Sequence, residues 1–389
     1  MKVAVVIQSI EPRRGGAETS TVQFVHHLAR RDCEVHVITS SRVPSSPAIT
    51  VHTVAVQGPT RNARGSQFLR QAEARVRPGD FDIVHSMVPI AGCDVYQPRG
   101  GTVPESVERN LAMIPSRLGR QAKRIGNRLN LKQQSQLRRE AQVLHRCSPT
   151  LVAAVSQYVV DQVRRHYRLD ESRIRLVFNG VDVPETTDEL RQHDRRELRE
   201  QFGLGQDELV LLMVAHNFRL KGVGRGIEAV AELARRNGPS VSVLIVGRDS
   251  PARFRRLAER LGIAEKITFV GPSERVWALY HAADVLIHPT YYDPCSRVVL
   301  EALASGLPAI TTRHNGAAEV IEEGVHGYVI DSADAADQLV DRIVRLADDE
   351  HRRACGRSGQ QLRGRLGMGR HADEMLVVYD EIIRGRTAR

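Results

Sequence analysis

Residues 288–308 hold the side chains best suited to chemistry, reading His-Pro-Thr-Tyr-Tyr-Asp-Pro-Cys-Ser-Arg-Val-Val-Leu-Glu-Ala-Leu-Ala-Ser-Gly-Leu-Pro. Asp293-Pro294 predicts a turn, Ser296 an N-cap, residues 297–305 a helix, and Gly306 with Pro308 its stop. The N-terminus of that helix would face a strand end. Its orphan amides and positive dipole suit a phosphate. Glu301 stands between Val298-Val299-Leu300 and Ala302-Leu303-Ala304, so an otherwise apolar helix would bury its carboxylate, which then needs a partner. The plainer readings are a glutamate on the one solvent-facing stripe of a core helix and, for Asp293, an ordinary turn residue.

Elements able to present such a helix occur twice along the chain. Residues 2–8 form a short apolar, β-rich run, Gly15-Gly16 follow in a polar loop, residues 21–29 read as a helix and 34–39 as a second strand. Residues 82–85 and 151–155 are nearly continuous apolar runs, the pattern of strands buried on both faces of a parallel sheet. Between 183 and 206 the chain turns polar and charged around Pro184, which marks a linker or surface helix. The pattern then restarts, with strands at 209–214, 241–246, 267–270 and 285–287 and a helix at 223–235. Strand–helix alternation twice over predicts an α/β protein of two doubly wound, Rossmann-like domains, with ligands at the carboxyl ends of the strands and an interdomain cleft as the active site. The expected division is a domain at 1–182, a linker at 183–206, a domain at 207–370, and a last helical segment at 371–389 that could pack on either domain.

Composition bounds the function. A chain of 389 residues, 41% hydrophobic and 26% charged, is globular rather than disordered. Its five cysteines (Cys33, Cys93, Cys147, Cys295, Cys355) are odd in number and never in a C-x-x-C pair, so neither a disulfide framework nor a structural zinc site is indicated, and a reducing cytoplasm fits. The apolar start is interrupted by Gln8 and ended by Glu11, Arg13 and Arg14, which reads as a first strand rather than a signal peptide. No stretch approaches the ~18 consecutive apolar residues of a membrane span, so membrane contact would be peripheral.

The formal charge is +10, and residues 99–146 contribute +8 of it through eleven basic and three acidic side chains. Within this segment Leu111, Ile114, Leu118, Ile125, Leu129 and Leu137 recur at helical spacing beside the basic residues. Such helices can lie on anionic lipid, each basic residue contributing about 1 kcal/mol near the surface, or can pack the stripe on their own domain with a solvated basic face. Nucleic acid is disfavoured, because no aromatic stacking residue lies between Gly100 and Arg146.

Asp293 and Glu301, eight residues apart, match the acidic-x7-Glu signature of retaining glycosyltransferases of family 4, and other features stand in the family's order. These are Gly15-Gly16, Asn179-Gly180-Val181-Asp182, Lys221-Gly222-Val223, Val246-Gly247, Ala282-Ala283-Asp284-Val285 before His288-Pro289, then Thr311-Thr312 and Gly316-Ala317-Ala318-Glu319-Val320-Ile321. The chain thus resembles that family over nearly its whole length, which implies the GT-B fold. Within it, Gly92-Cys93-Asp94-Val95-Tyr96, residues 217–222, residues 225–229 and residues 246–251 leading into Phe254 resemble lipopolysaccharide core glucosyltransferases acting on an inner-core heptose. The basic segment lies where those enzymes contact membranes.

The resemblance implies transfer of a hexose, glucose first, from a UDP-sugar such as UDP-glucose to a lipid-linked or lipopolysaccharide saccharide at the inner face of the cytoplasmic membrane. It implies a front-face reaction with no metal and no cofactor, and no D-x-D motif is placed to hold magnesium on a diphosphate. Lys221, with Arg219 and the helix terminus at 297–299, would meet the diphosphate. Glu301 would accept from the ribose hydroxyls. Asp293, with the backbone of Pro294, Cys295 and Ser296 and the neighbouring Val298, would hold the donor sugar. Gly15 and Gly16 would let backbone approach donor or acceptor, and Asp94 would contact the acceptor or donor sugar as a catalytic-site residue beside Asp293 and Lys221. His85, after a strand end, is a further cleft candidate; Asp94 reads equally as a loop cap and His85 as a structural histidine. The sequence departs from the family where Asp replaces the usual Glu at 293 and Ser the usual Gly at 296. Two other readings stay open: a nucleotide-sugar epimerase on the same fold, and a non-enzymatic basic membrane-binding protein. A dehydrogenase is weaker, since Gly15-Gly16 is not G-x-G-x-x-G and its loop carries Arg13, Arg14 and Glu18.

Overall fold

Runs rich in Val, Ile, Leu and Ala become the strands of two parallel sheets, the central ones buried on both faces. The computed structural model describes residues 1–11, 15–43, 45–205 and 208–387; Arg13 and Arg14 lie outside these. The first sheet contains β1 (Lys2–Val6), β2 (Glu34–Thr39), β3 (Ile49–Thr53), β4 (Ile83–Ser86), β5 (Val95–Tyr96), β6 (Leu151–Ala154) and β7 (Ile174–Leu176), in the order β3-β2-β1-β4-β5-β6-β7. The second contains β8 (Leu209–Val214), β9 (Val241–Val246), β10 (Ile267–Gly271), β11 (Val285–His288), β12 (Ala309–Thr312) and β13 (Gly327–Ile330), in the order β10-β9-β8-β11-β12-β13. Strand order reverses between β1 and β4 and again between β8 and β11. In such sheets loops diverge at these points and leave a crevice at the carboxyl ends of the strands. Both units are therefore doubly wound and Rossmann-like.

One unit comprises Met1–Asp182 with Gly367–Arg389, the other Val183–Leu366. The last helix, Met368–Thr387, belongs to the first unit and starts three residues before the expected 371. Met368, Ala372, Met375, Val378 and Tyr379 join Val3, Val5, Phe24 and Val35 in its core, and this burial fixes which unit it packs on. Residues 183–206, expected as a linker or surface helix, hold the helix Asp188–Gln201, capped by Thr187 and packed into the second unit. Its anchor is polar. The fully buried Arg199 guanidinium donates to Ala282 O (3.1 Å), Gly205 O (2.7 Å) and Asp284 Oδ2 (2.5 Å), and Asp284 in turn accepts from Val210 N (2.7 Å) at the start of β8.

The basic segment folds as three helices of the first unit, Val103–Ala112, Arg117–Leu129 and Leu131–Val143. Two buried carboxylates hold the outer pair. Glu140 accepts from Tyr96 Oη (2.8 Å), Tyr167 Oη (2.5 Å) and Val103 N (2.8 Å), while Glu105 accepts from Arg109 (2.8 Å) and Tyr158 (3.1 Å) and faces His166 (3.0 Å). The middle helix, Arg117–Leu129, buries none of its residues, and Leu118 and Leu129 are 83% and 76% exposed. Among the described residues no helix is long and apolar enough to cross a membrane.

Candidate active site

The switch point of the second unit brings together the loops that follow β8 and β11. Gly222 makes this approach possible: its φ is +71°, and a Cβ there would lie 2.0 Å from Pro289 O. Gly247, at the end of β9 with φ +150°, likewise leaves no room for a side chain, since its Cβ would fall 1.7 Å from Ala215 O. The loops are joined by Tyr291 N donating to Leu220 O (2.9 Å). Lys221, immediately before Gly222, then reaches across to the β11 loop, where its Nζ donates to Asp293 Oδ2 (2.6 Å) and Tyr292 O (3.1 Å). Arg219 is exposed on the same turn.

Asp293 is fixed on every side. Its Oδ1 accepts from Cys295 N (3.2 Å), its backbone N donates to His314 O (2.9 Å), and its carbonyl accepts from Gly316 N (3.0 Å). His288 Nε2, at the end of β11, lies 3.5 Å from Asp293 Oδ2. Burial alone would raise this carboxyl, but the charge of Lys221 above all, with His288, outweighs it and holds Asp293 well below the usual carboxylate range. His288 is itself buried, which lowers its pKa and keeps the ring neutral at neutral pH. Asn315 ties the neighbouring loop to the turn: its Oδ1 accepts from Ser296 N and Ala317 N (both 3.0 Å) and its Nδ2 donates to Thr311 Oγ1 (2.9 Å).

The helix Arg297–Ala304 starts here. Ser296 occupies its N-cap position, but contrary to the sequence expectation its hydroxyl makes no capping bond; Oγ sits 3.3 Å from His288 Nε2 instead. The first-turn amides thus keep no side-chain cap, which suits an anion. Pro294, Cys295 and Ser296 are buried and Val298 half-buried. Glu301 is buried rather than on a solvent stripe, and its carboxylate accepts from Tyr280 Oη (3.0 Å) and Arg297 Nη2 (2.9 Å). Burial and the adjacent Glu301 charge push the Tyr280 phenol far up, so it stays a donor. Lys221 is set against Asp293 and Arg297 against Glu301, so the formal charges of these pairs cancel, and the helix end adds positive potential.

Lys221, Asp293, Pro294, Cys295, Ser296, Val298 and Glu301 therefore converge on one strand-end site in the second unit. The sequence reading missed Tyr280 and Asn315, which lie eight residues before and seven after the 288–308 segment, and gave no role to the His288 ring. In the first unit Gly15 and Gly16 begin the helix that follows β1, at the carboxyl edge of their own sheet.

Asp94 requires a correction. It precedes β5, its Oδ2 accepts from Val84 N (2.8 Å), and its Oδ1 pairs with Arg386, which also donates to Asp82 O (2.7 Å) ahead of β4. These partners put it toward the amino ends of the strands, away from the ligand edge, as a structural cap. His85 is wholly buried with Nδ1 2.5 Å from Tyr379 Oη, and burial drops its pKa to about 3, which makes it a neutral core histidine rather than a cleft acid.

Two family models match the chain: Glycosyltransferase Family 4 over residues 14–185, and Glycosyl transferases group 1 over residues 194–362. The chain is 26% identical to the lipopolysaccharide glucosyltransferase WaaG of Escherichia coli over 334 residues, 86% of each protein. It is 27% identical to the D-inositol 3-phosphate glycosyltransferase of Mycolicibacterium smegmatis over 399 residues, 96% of this chain and 88% of that protein. Its fold superposes on the crystal structure of WaaG with a TM-score of 0.81 at 24% identity, covering 98% of this chain and 99% of that one. Anabaena HepE, solved in complex with UDP-glucose, gives 0.72 at 19% identity with all of both chains covered.

Proposed function

Because the chain belongs to the family 4, group 1 glycosyltransferases of GT-B fold and is a hexosyltransferase, we propose that it moves glucose from UDP-glucose to a lipid-linked saccharide, such as a lipopolysaccharide core, with retention of anomeric configuration. The observation that carries this reading is Lys221 Nζ held beside an uncapped helix terminus at the switch point of the second sheet, a place built to neutralise a departing diphosphate. Two similar proteins supply the rest: WaaG is a lipopolysaccharide glucosyltransferase, and HepE has been solved with UDP-glucose.

As the bond between sugar C1 and the phosphate oxygen breaks, negative charge grows on the diphosphate. Lys221, Arg219 and the first-turn amides of 297–299 stabilise that charge more in the transition state than in the ground state. The departing phosphate oxygen takes the proton of the acceptor hydroxyl while the acceptor oxygen bonds C1 on the same face, so the electron pair of the old bond stays on UDP. Positive charge from Lys221 and the helix end takes the place a metal would occupy. Glu301 accepts from the ribose hydroxyls with its free lone pairs, and the side-chain-free Gly15-Gly16 backbone of the first unit leaves room for the acceptor.

The helix Arg117–Leu129 serves as a peripheral contact with anionic lipid at the inner membrane face. Its exposed leucines beside Arg117, Arg120, Lys123, Arg124 and Arg128 give it an apolar stripe that its own unit does not cover. The test is UDP release across a panel of nucleotide sugars, with and without saccharide acceptors. UDP-glucose should be turned over; no turnover and no nucleotide binding with any donor would overturn the assignment.

A further inference from the structure

The Asp293 carboxylate already has a protein partner on each oxygen. One oxygen accepts from Cys295 N at 3.2 Å and the other is 2.6 Å from Lys221 Nζ. Behind it lies a second pair. Ser296 Oγ, which the N-cap position would ordinarily turn toward the helix amides, points to His288 Nε2 at 3.3 Å, and that same nitrogen is 3.5 Å from Asp293 Oδ2. Both residues are almost completely buried, 3% exposed for Ser296 and 2% for His288, so neither hydroxyl nor ring is presented to a ligand.

Resting on the proposed donor site, we infer that His288 and Ser296 are positioning residues: they hold the Asp293 carboxylate on Lys221, and Asp293 thereby acts as the anchor that aims Lys221 at the diphosphate. The two departures from the family pattern, Asp at 293 and Ser at 296, then form one coupled unit. A Glu at 293 is one methylene longer and would overshoot Lys221 unless the turn shifted. The Ser296 hydroxyl meets the same His288 nitrogen as the carboxylate, so a change at either position is felt at the other.

The experiment is a double-mutant cycle on the full chain, Asp293→Glu, Ser296→Gly and the two together, with His288→Gln beside them. Calorimetry reads UDP affinity, and saturation-transfer NMR reads uridine affinity as the control for a merely structural defect. Each single variant should weaken UDP at least about fivefold with uridine binding unchanged. The double variant should bind UDP about tenfold better than the product of the single effects predicts. His288→Gln, which keeps one donor at the ring's position, should fall between wild type and Ser296→Gly. Single effects that multiply within twofold, or UDP and uridine weakened alike, would overturn the inference while leaving the donor site standing. A wild-type chain that binds no UDP would overturn both.

Discussion

Removing Lys221 isolates the electrostatic core of the site. Lys221→Ala leaves the Asp293 carboxylate, on a side chain only 14% exposed, with the Cys295 amide and a neutral His288 as its remaining partners. Breaking a buried pair by deleting one member costs ~3–5 kcal/mol, and the surviving amide bond places this case near about 3 kcal/mol. Neutralising the stranded partner should restore most of it, so Lys221→Ala/Asp293→Asn should lose only about 1 kcal/mol. Urea unfolding followed by fluorescence suits the measurement, because the chain's single tryptophan, Trp277, lies in the second unit in the helix Val276–Ala282.

The pH dependence gives the sign. In the wild type the folded carboxyl lies below its unfolded value of ~3.9, so its contribution is complete above that value and is lost only as pH falls through the folded one; stability from this pair is flat from pH 5 to 8. Without Lys221, burial raises the carboxyl instead, and protonation on folding relieves the strain. The deficit of Lys221→Ala should therefore shrink between pH 7.5 and pH 4.5. A double variant as unstable as the single one, or a deficit that grows on acidification, refutes the reasoning.

Glu301→Gln should weaken UDP about 30-fold by calorimetry, because it removes the acceptor charge that also faces Arg297; unchanged affinity would remove Glu301 from the site. Gly222→Ala should cost about 3 kcal/mol or more in urea unfolding, given a φ of +71° and a Cβ 2.0 Å from Pro289 O, and a neutral substitution would mean the two loops do not meet as described. Leu118→Ser/Leu129→Ser should leave the thermal midpoint unchanged while reducing flotation with anionic vesicles at least about tenfold; equal flotation would remove this helix from the membrane contact.

The sequence revealed most where burial is apolar and continuous. β1, β8, β9 and β11 are runs of mostly aliphatic residues, and the 297–304 helix carried its own turn and stop residues. β5 has two residues and β7 three, too few to show any period, and the sheet holds them only through their neighbours. The Asp188–Gln201 helix passed for a linker or surface helix because its deepest anchor is an arginine, which hydrophobic patterning counts as surface. Asp94 misled for a different reason: a carboxylate beside a strand looks alike at either end, and only strand direction tells a ligand edge from a cap. Ser296 was correctly placed at the N-cap, yet which group its hydroxyl would choose depended on His288, eight residues earlier at the end of β11.

Slow hydrolysis of the donor tests retaining transfer of glucose from UDP-glucose at the Lys221–Asp293–Glu301 site without knowledge of the acceptor. Incubated with UDP-glucose and EDTA and followed by proton NMR before mutarotation, the chain should release α-glucose first, at a rate that Lys221→Ala lowers about a hundredfold. Release of β-glucose, or a rate unaffected by Lys221, would contradict the account.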